Sequence, residues 1–306
     1  MPPAITVVLP VRNAATTVTR AIESTLRALP AGGRMLVRSD GSTDDTAARI
    51  RAIADDRITI IEGRQTIGIA RSANELLAAV ETDLVARMDG DDVCLPWRFR
   101  AQLPLIERGA DFAFTTTVSW FADSSVPRRF RPPKPLTISP RAAPLLLLLE
   151  NGFGHPTLLA RTDAMRRLDG YRDLPSEDYD LWIRAALSGH RIARCATPGV
   201  VYRRHSEQTT ADADWQNARG TDERVISALE ALGRQEFGSV PTYLRWRKAG
   251  YPADAVPPRA ADELAEIVRR ARLLGLHDRV ALLSRVHQVR RRLPGTVRAR
   301  AAAARV

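Results

Sequence analysis

Four short apolar runs, each followed by a stretch of helical periodicity, constrain the first hundred residues more than any other feature. The runs are Ile5 to Leu9, Met35 to Arg38, Ile58 to Ile61 and Leu84 to Met88. Between them, Val18, Ile22, Leu26 and Leu29 recur at helical spacing. Asp44 stands where it can cap a helix that carries Ala47, Ala48 and Ile50, and Gly68 precedes a helix from about Ile69 to Val80. Neighbouring parallel strands need helical crossovers, so this alternation predicts a doubly wound α/β sheet. A chain of 306 residues has room for such a sheet and an appendage.

Ligands on sheets of this kind bind at the carboxyl ends of the strands. Three polar loops follow strands and share that address: Pro10-Val11-Arg12-Asn13, Asp40-Gly41-Ser42 and Asp89-Gly90-Asp91-Asp92. The last brings three carboxylates into four residues, with Gly90 expected to permit a sharp turn. Like charges so close repel one another unless a cation or water lies among them, and hard divalent ions prefer oxygen ligands. The plainer alternative is a solvated acidic turn. Neither a Gly-x-Gly-x-x-Gly nor a Gly-Lys-Ser/Thr loop follows the first strand, which argues against dinucleotide oxidoreductases and P-loop enzymes. Cys94 and Cys195 are too few for a disulfide framework; Cys94, near the acidic turn, is a candidate reactive thiol.

Further along, Asp111 to Phe114 reads as a strand and Pro127 to Pro135 as a loop. Ser139-Pro140 is a helix-start signal before the apolar run Leu145 to Leu149. Gly154 to Ala160 suggests a strand that carries His155 to the cleft. Ser176 is expected to cap a helix with Glu177 and Asp178 in its first turn, running to Gly189. Acids there also stabilise the helix dipole by about 0.3–1 kcal/mol, a purely structural role. The strand-like Val200 to Tyr202 leads into Arg203, Arg204 and His205. Thr221 to Leu232 and Asp262 to Leu276 read as amphipathic helices.

Taken together, the motifs resemble family 2 glycosyltransferases of the GT-A fold. Val7-Val8-Leu9-Pro10-Val11-Arg12-Asn13 is similar to that family's first-strand motif, Ser39-Asp40-Gly41-Ser42-Thr43-Asp44 to its DDGSTD loop, and Asp89-Gly90-Asp91-Asp92 to its DxD turn. Glu177-Asp178-Tyr179-Asp180-Leu181-Trp182 resembles its ED motif, and Tyr202 to His205 its YRxH segment. The resemblance implies a mostly parallel central sheet flanked by helices. On this reading residues 1–210 form the transferase domain, with a nucleotide-sugar half at 1–105 and an acceptor half at 106–210. Residues 211–306 are a helical C-terminal extension.

It also implies roles. Pro10, Arg12, Asn13, Asp40, Arg71, Asp89 and Gly90 would bind the nucleotide sugar, with Asn74 near the same pocket. Asp91 and His205 would meet a divalent Mg or Mn ion. Asp178 would be the catalytic base of an inverting transfer, supported by Glu177, while His155, Trp182, Arg203 and Arg204 would contact acceptor or phosphate. Arg87 is expected to steady the acids. Ser39 departs from the family pattern, where an aspartate is usual, so the base of the donor stays open.

The net charge of +11 is concentrated at the end of the chain. Arg285, Arg290, Arg291, Arg292, Arg298, Arg300 and Arg305 follow one another without an acid. The default reading of such an end is a solvated, frayed tail; contact with anionic lipid, an acidic acceptor or a partner chain is the alternative, and nucleic acid is not expected. The expected location is cytoplasmic, with a peripheral position on the inner face of the membrane as the alternative. Expected partners are a nucleotide-diphosphate sugar and a hydroxyl-bearing glycan, lipid-linked or small-molecule acceptor. Two other readings fit the sequence less well: a nucleotidyltransferase making a sugar nucleotide, and a non-catalytic sugar-nucleotide-binding or membrane-docking protein.

Overall fold

The computed structural model describes residues 3–122, 130–132, 136–206, 208, 222–248, 250, 252 and 257–292. The first half alternates as the periodicity predicts: β1 (Ile5–Val11), α1 (Val18–Ala28), β2 (Arg34–Asp40), α2 (Thr46–Arg51), β3 (Ile58–Gly63), α3 (Ile69–Ala78) and β4 (Leu84–Arg87). β3, β2, β1 and β4 lie side by side and are all parallel, which brings the three polar loops to one rim. α1 is amphipathic for a visible reason: Val18, Ile22 and Leu26 sit on its buried face.

The second half comprises β5 (Val93–Cys94), α4 (Arg98–Glu107), β6 (Phe112–Phe121), β7 (Phe130–Arg131), α5 (Ala143–Leu149), a 3-10 turn (His155–Thr157), β8 (Leu159–Arg161), α6 (Thr162–Arg167), α7 (Glu177–Leu187) and β9 (Ile192–Arg204). The sheet runs β3-β2-β1-β4-β8-β6-β9-β5, with β7 on β6. β8 is antiparallel to both β4 and β6, while β6 and β9 are parallel. The sheet is therefore mixed at the centre, and the strand expected within Gly154 to Ala160 is confined to Leu159–Arg161. His155 is carried on the 3-10 turn before it.

Among the described residues four helices follow: α8 (Glu223–Phe237), α9 (Tyr243–Lys248), α10 (Ala260–Arg272) and α11 (Leu276–Arg290). Their apolar faces, with Leu229, Tyr243, Leu264 and Leu282, join the same buried cluster as Leu145 to Leu149 and Trp182. The Tyr243 hydroxyl donates to Leu148 O at 3.2 Å, and Arg247 donates to Leu149 O at 2.6 Å. These bonds satisfy carbonyls at the end of α5 that the helix itself leaves open. Arg285, read as the start of a tail, lies inside α11. Residues 293–306, including Arg298, Arg300 and Arg305, lie outside the described residues, as do most of the Pro127 to Pro135 loop and the expected boundary at 210–211.

Three local readings need correction. Ser176 precedes α7, but at φ 74° its left-handed backbone turns the hydroxyl away from the helix, and no side-chain cap bond forms. α5 starts at Ala143, three residues after Pro140. Gly90 is not among the left-handed glycines. What it supplies is space, since a Cβ there would lie 2.5 Å from Val11 Cγ2. Among the described residues no helix is long and apolar enough to cross a membrane.

Candidate active site

The loop after β1 is tied to the loop after β2 by side chains. Asn13, at φ 48°, accepts at Oδ1 from Thr43 N (2.9 Å), and its own N–H donates to Ser42 Oγ at 3.2 Å. Ala14 N donates to Thr46 Oγ1 (2.7 Å) and Ala15 N to Asp44 Oδ2 (3.1 Å). Asp44 also accepts from Thr46 N at 3.0 Å, an Asx-type contact at the entry to α2. Ser39 is buried and donates to Ser42 Oγ at 3.0 Å. Asn13 thus braces the two loops against each other and does not cap α1. Pro10 is buried at the end of β1, and Arg12 is exposed beside it.

Asp40, 5% exposed, accepts from Ile67 N (2.9 Å) and Gly68 N (3.0 Å). It clamps the entry to α3, where Gly68 adopts φ 91°. A nucleotide meeting Asp40 would meet a carboxylate already holding two N–H groups. On α3, Arg71 pairs with Asp173 at 2.8 Å, an exposed contact on the rim. Asn74 is not a pocket residue. It bonds the backbone of Tyr171 twice, Nδ2 donating at 2.7 Å and Oδ1 accepting at 2.8 Å.

At the acidic turn the three carboxylates have different environments. Asp89 receives Arg87 Nη2 at 2.7 Å, and Arg87 is itself completely buried. Asp91 Oδ2 lies 3.1 Å from His205 Nε2. Burial and Asp89 raise the Asp91 carboxyl above its usual range, against the pull of His205. Asp92 is wholly buried. It accepts from Arg203 N at 2.8 Å, and its Oδ2 has no partner among the described residues. Burial first, then Asp89 and Asp91, push it well up. Arg203 therefore meets the turn through its backbone, while its guanidinium lies 6.0 Å from the Trp120 ring. Arg204 is exposed and donates to Ser119 Oγ at 3.3 Å.

A buried frame fixes the turn from behind. Arg98, completely buried on α4, donates to Arg87 O (2.8 Å) and Leu158 O (3.0 Å), and its Nε to Gln102 Oε1 at 3.2 Å. Gln102 in turn donates to Ala113 O and Thr157 O at 2.7 and 2.8 Å. Cys94 is buried and its thiol is pushed up by that burial, so the candidate reactive thiol is a core residue.

The second acid cluster stands at the start of α7. Glu177 is 8% exposed; burial first and Asp178 second raise its carboxyl to about 8, and Arg87 and Asp89 are close enough to contribute. Asp178 is half-buried and accepts from Asn151 Nδ2 at 2.8 Å. His155 lies between Glu177 (Nδ1 to Oε1, 3.6 Å) and the Tyr171 hydroxyl (Nε2, 3.0 Å). Burial, followed by Arg87, holds its imidazole well below the usual range, so it is neutral. Trp182, expected at the acceptor, is fully buried and packs edge-on against Phe112, Phe114 and His155. A ring so placed is a core packing residue, against the expected acceptor contact.

Sequence reasoning missed Asn151 and Tyr171. Each acts on a group far along the chain, and neither stands in a chemical motif. What remained visible was the polar break Glu150-Asn151-Gly152 after five leucines.

The family model described as Glycosyl transferase family 2 matches residues 6–166, more than half of the chain. The chain belongs to glycosyltransferase family 2. Among relatives, EpsE of Bacillus subtilis (strain 168) is 30% identical over 198 residues, covering 62% of this chain and 69% of EpsE. Solved structures of the GT-A type share the fold. TarS 1–349 of S. aureus in complex with UDP-GlcNAc gives a TM-score of 0.61 at 16% identity, covering 93% of this chain and 90% of that one. The mannosyltransferase PcManGT of Pyrobaculum calidifontis, in complex with GDP-Man and Mn2+, gives 0.55 at 16% identity, over 99% and 84%. The α/β sheet with C-terminal helices is thus the GT-A architecture that the motifs implied.

Proposed function

We propose that this family 2 glycosyltransferase moves a sugar from a nucleotide diphosphate to an acceptor hydroxyl with inversion, Asp178 acting as base. The observation that carries the reading is the contrast between Glu177 and Asp178. Glu177, raised to about 8, holds its proton at neutral pH, whereas Asp178 beside it is half-exposed and bonded by Asn151. Two carboxyl groups in unequal environments divide the acid and base roles. Inversion needs a base facing the incoming hydroxyl, on the side away from the leaving diphosphate.

The donor set at the acidic turn fits a divalent cation. Asp91 offers a carboxylate oxygen and His205 an imidazole nitrogen 3.1 Å away, and a positive charge there would offset the burial and the Asp89 repulsion that together raise Asp91. No cluster of three or more metal-binding side chains occurs among the described residues, so the diphosphate would complete the coordination. When bound, such an ion neutralises charge developing on the leaving phosphates. PcManGT, with GDP-Man and Mn2+, and TarS, with UDP-GlcNAc, support a nucleotide-sugar donor. Pro10, Arg12 and the Asn13–Thr43 brace would line its base and ribose.

Calorimetry with nucleoside diphosphates and sugar nucleotides, with and without Mn, tests the donor. One base should bind in an Mn-dependent manner, and Asp91→Ala should weaken that binding at least about tenfold, the scale of one lost charge-assisted contact. Binding unaffected by Mn or by the variant would remove the metal from this turn.

A further inference from the structure

A cavity of about 480 Å3 is walled by β6, the segment from Glu150 to Gly154 and α11. Its size falls within the roughly 300–1,000 Å3 of small-molecule sites. One short segment joins it to the chemistry. Glu150, Gly152 and Gly154 line the cavity, while Asn151 between them holds Asp178 at 2.8 Å and His155 next to them faces Glu177 at 3.6 Å.

The walls are polar. β6 contributes Thr115, Thr116 and Thr117 to the lining; the Thr116 hydroxyl donates to Ala196 O at 2.9 Å, and the buried Thr115 Oγ1 has no partner among the described residues. Arg194 anchors one guanidinium nitrogen on Gly152 O at 2.6 Å, but its buried Nε has no partner among the described residues. From α11, Arg285 reaches Glu150 at 2.5 Å and Gln288 at 2.6 Å. Arg131, Arg194 and Arg285 face a single carboxylate, Glu150. Threonine side chains and an excess of guanidinium over carboxylate in the lining describe a receptor for an anionic, hydroxyl-rich molecule.

We propose that this cavity is the acceptor subsite and that it takes a sugar bearing an anionic group, phosphate or carboxylate, with the anion beside Arg194 and Arg285. The assignment rests on the glycosyl-transfer reading above. α11 is then part of the acceptor site, and the C-terminal helices help to choose the substrate.

Ligand-observed NMR on the full chain, with Mn and UDP or GDP present to occupy the donor site, provides the test. Glucose 6-phosphate and glucuronate should bind at least about tenfold more tightly than methyl glucoside, as one added charge-assisted contact would give. Arg285→Gln should erase most of that preference. Ser284→Trp, which fills the cavity from α11, should abolish binding of the sugars and leave Mn-dependent nucleotide binding intact. Equal binding of charged and neutral sugars, or sugar binding that survives Ser284→Trp, would overturn the assignment. So would inorganic phosphate competing as well as glucose 6-phosphate. If no nucleotide binds while the anionic sugars still enter the cavity, the transfer reading falls and the cavity stands as a sugar-binding site.

Discussion

The two sides of the cleft are built by different means. On the donor side, parallel strands β1, β2 and β4 end on one rim by topology, and short bonds between adjacent loops lock them: Asn13 to Thr43, Ala14 to Thr46, Asp40 to Gly68. On the acceptor side, pieces far apart in sequence are held by long side chains that reach for carbonyls. Arg184 donates to Leu168 O and Gly170 O at 2.5 and 2.7 Å, Arg194 to Gly152 O and Arg247 to Leu149 O at 2.6 Å each. A site of the first kind is written in consecutive residues. A site of the second kind exists only after folding.

Changes on each side should separate accordingly. The largest effect expected is Asp178→Asn, which should lower kcat by about 10³-fold or more, the scale of losing a general base, while Mn-dependent nucleotide binding persists. Equal loss of both, measured by turnover and calorimetry, would join the two sides into one function. Next is Asp180→Ala. Asp180 is completely buried and pairs with Arg184 at 2.6 Å, so its loss should cost about 3 kcal/mol by denaturant unfolding. Because Arg184 holds the turn before α7, the acceptor side should loosen first in hydrogen exchange.

Glu177→Gln should act through pH. Glu177 has a folded pKa raised from 4.5 to about 8, so the folded state binds the extra proton between those values and wild-type stability falls as pH rises through that window. The groups facing it are Asp178, His155, Arg87, Asp89 and Tyr171, and desolvation is the leading cause. The variant should lose that slope and gain on the order of 2–4 kcal/mol relative to wild type between pH 5 and pH 8. A parallel pair of stability curves would contradict it. The smallest effect is on the donor side. Gly90→Ala places a methyl group 2.5 Å from Val11 Cγ2 and should cost about 1–3 kcal/mol, with Val11→Ala restoring much of it in a double-mutant cycle.

That contrast also explains what could be read from the sequence. The four parallel strands, the three rim loops and both acid clusters were legible because each is a run of neighbouring residues with a periodicity or a charge pattern. Trp182 was misread because α7 buries eight of its eleven residues, so spacing could not separate a core face from a ligand face. Gly90 was read as a turn residue although the constraint comes from Val11, 79 positions earlier by subtraction of the two residue numbers. Asn151 left only the polar break after five leucines as a local trace, and the wall supplied by α11 left none. Their partners, Asp178 and Glu150, are brought to them only by the packing of α5 against α7 and α11.

The interlocked rim loops have one further consequence. Asn13 sits in its left-handed conformation, and Ser42, Thr43, Asp44 and Thr46 hold their neighbours, through bonds that are all internal to the chain. The entropy of ordering this surface is thus lost at folding and not at each encounter, so a donor should dock on a preorganised face with little loop rearrangement. Structures of the chain with and without nucleotide should superpose closely over residues 10–15 and 39–46.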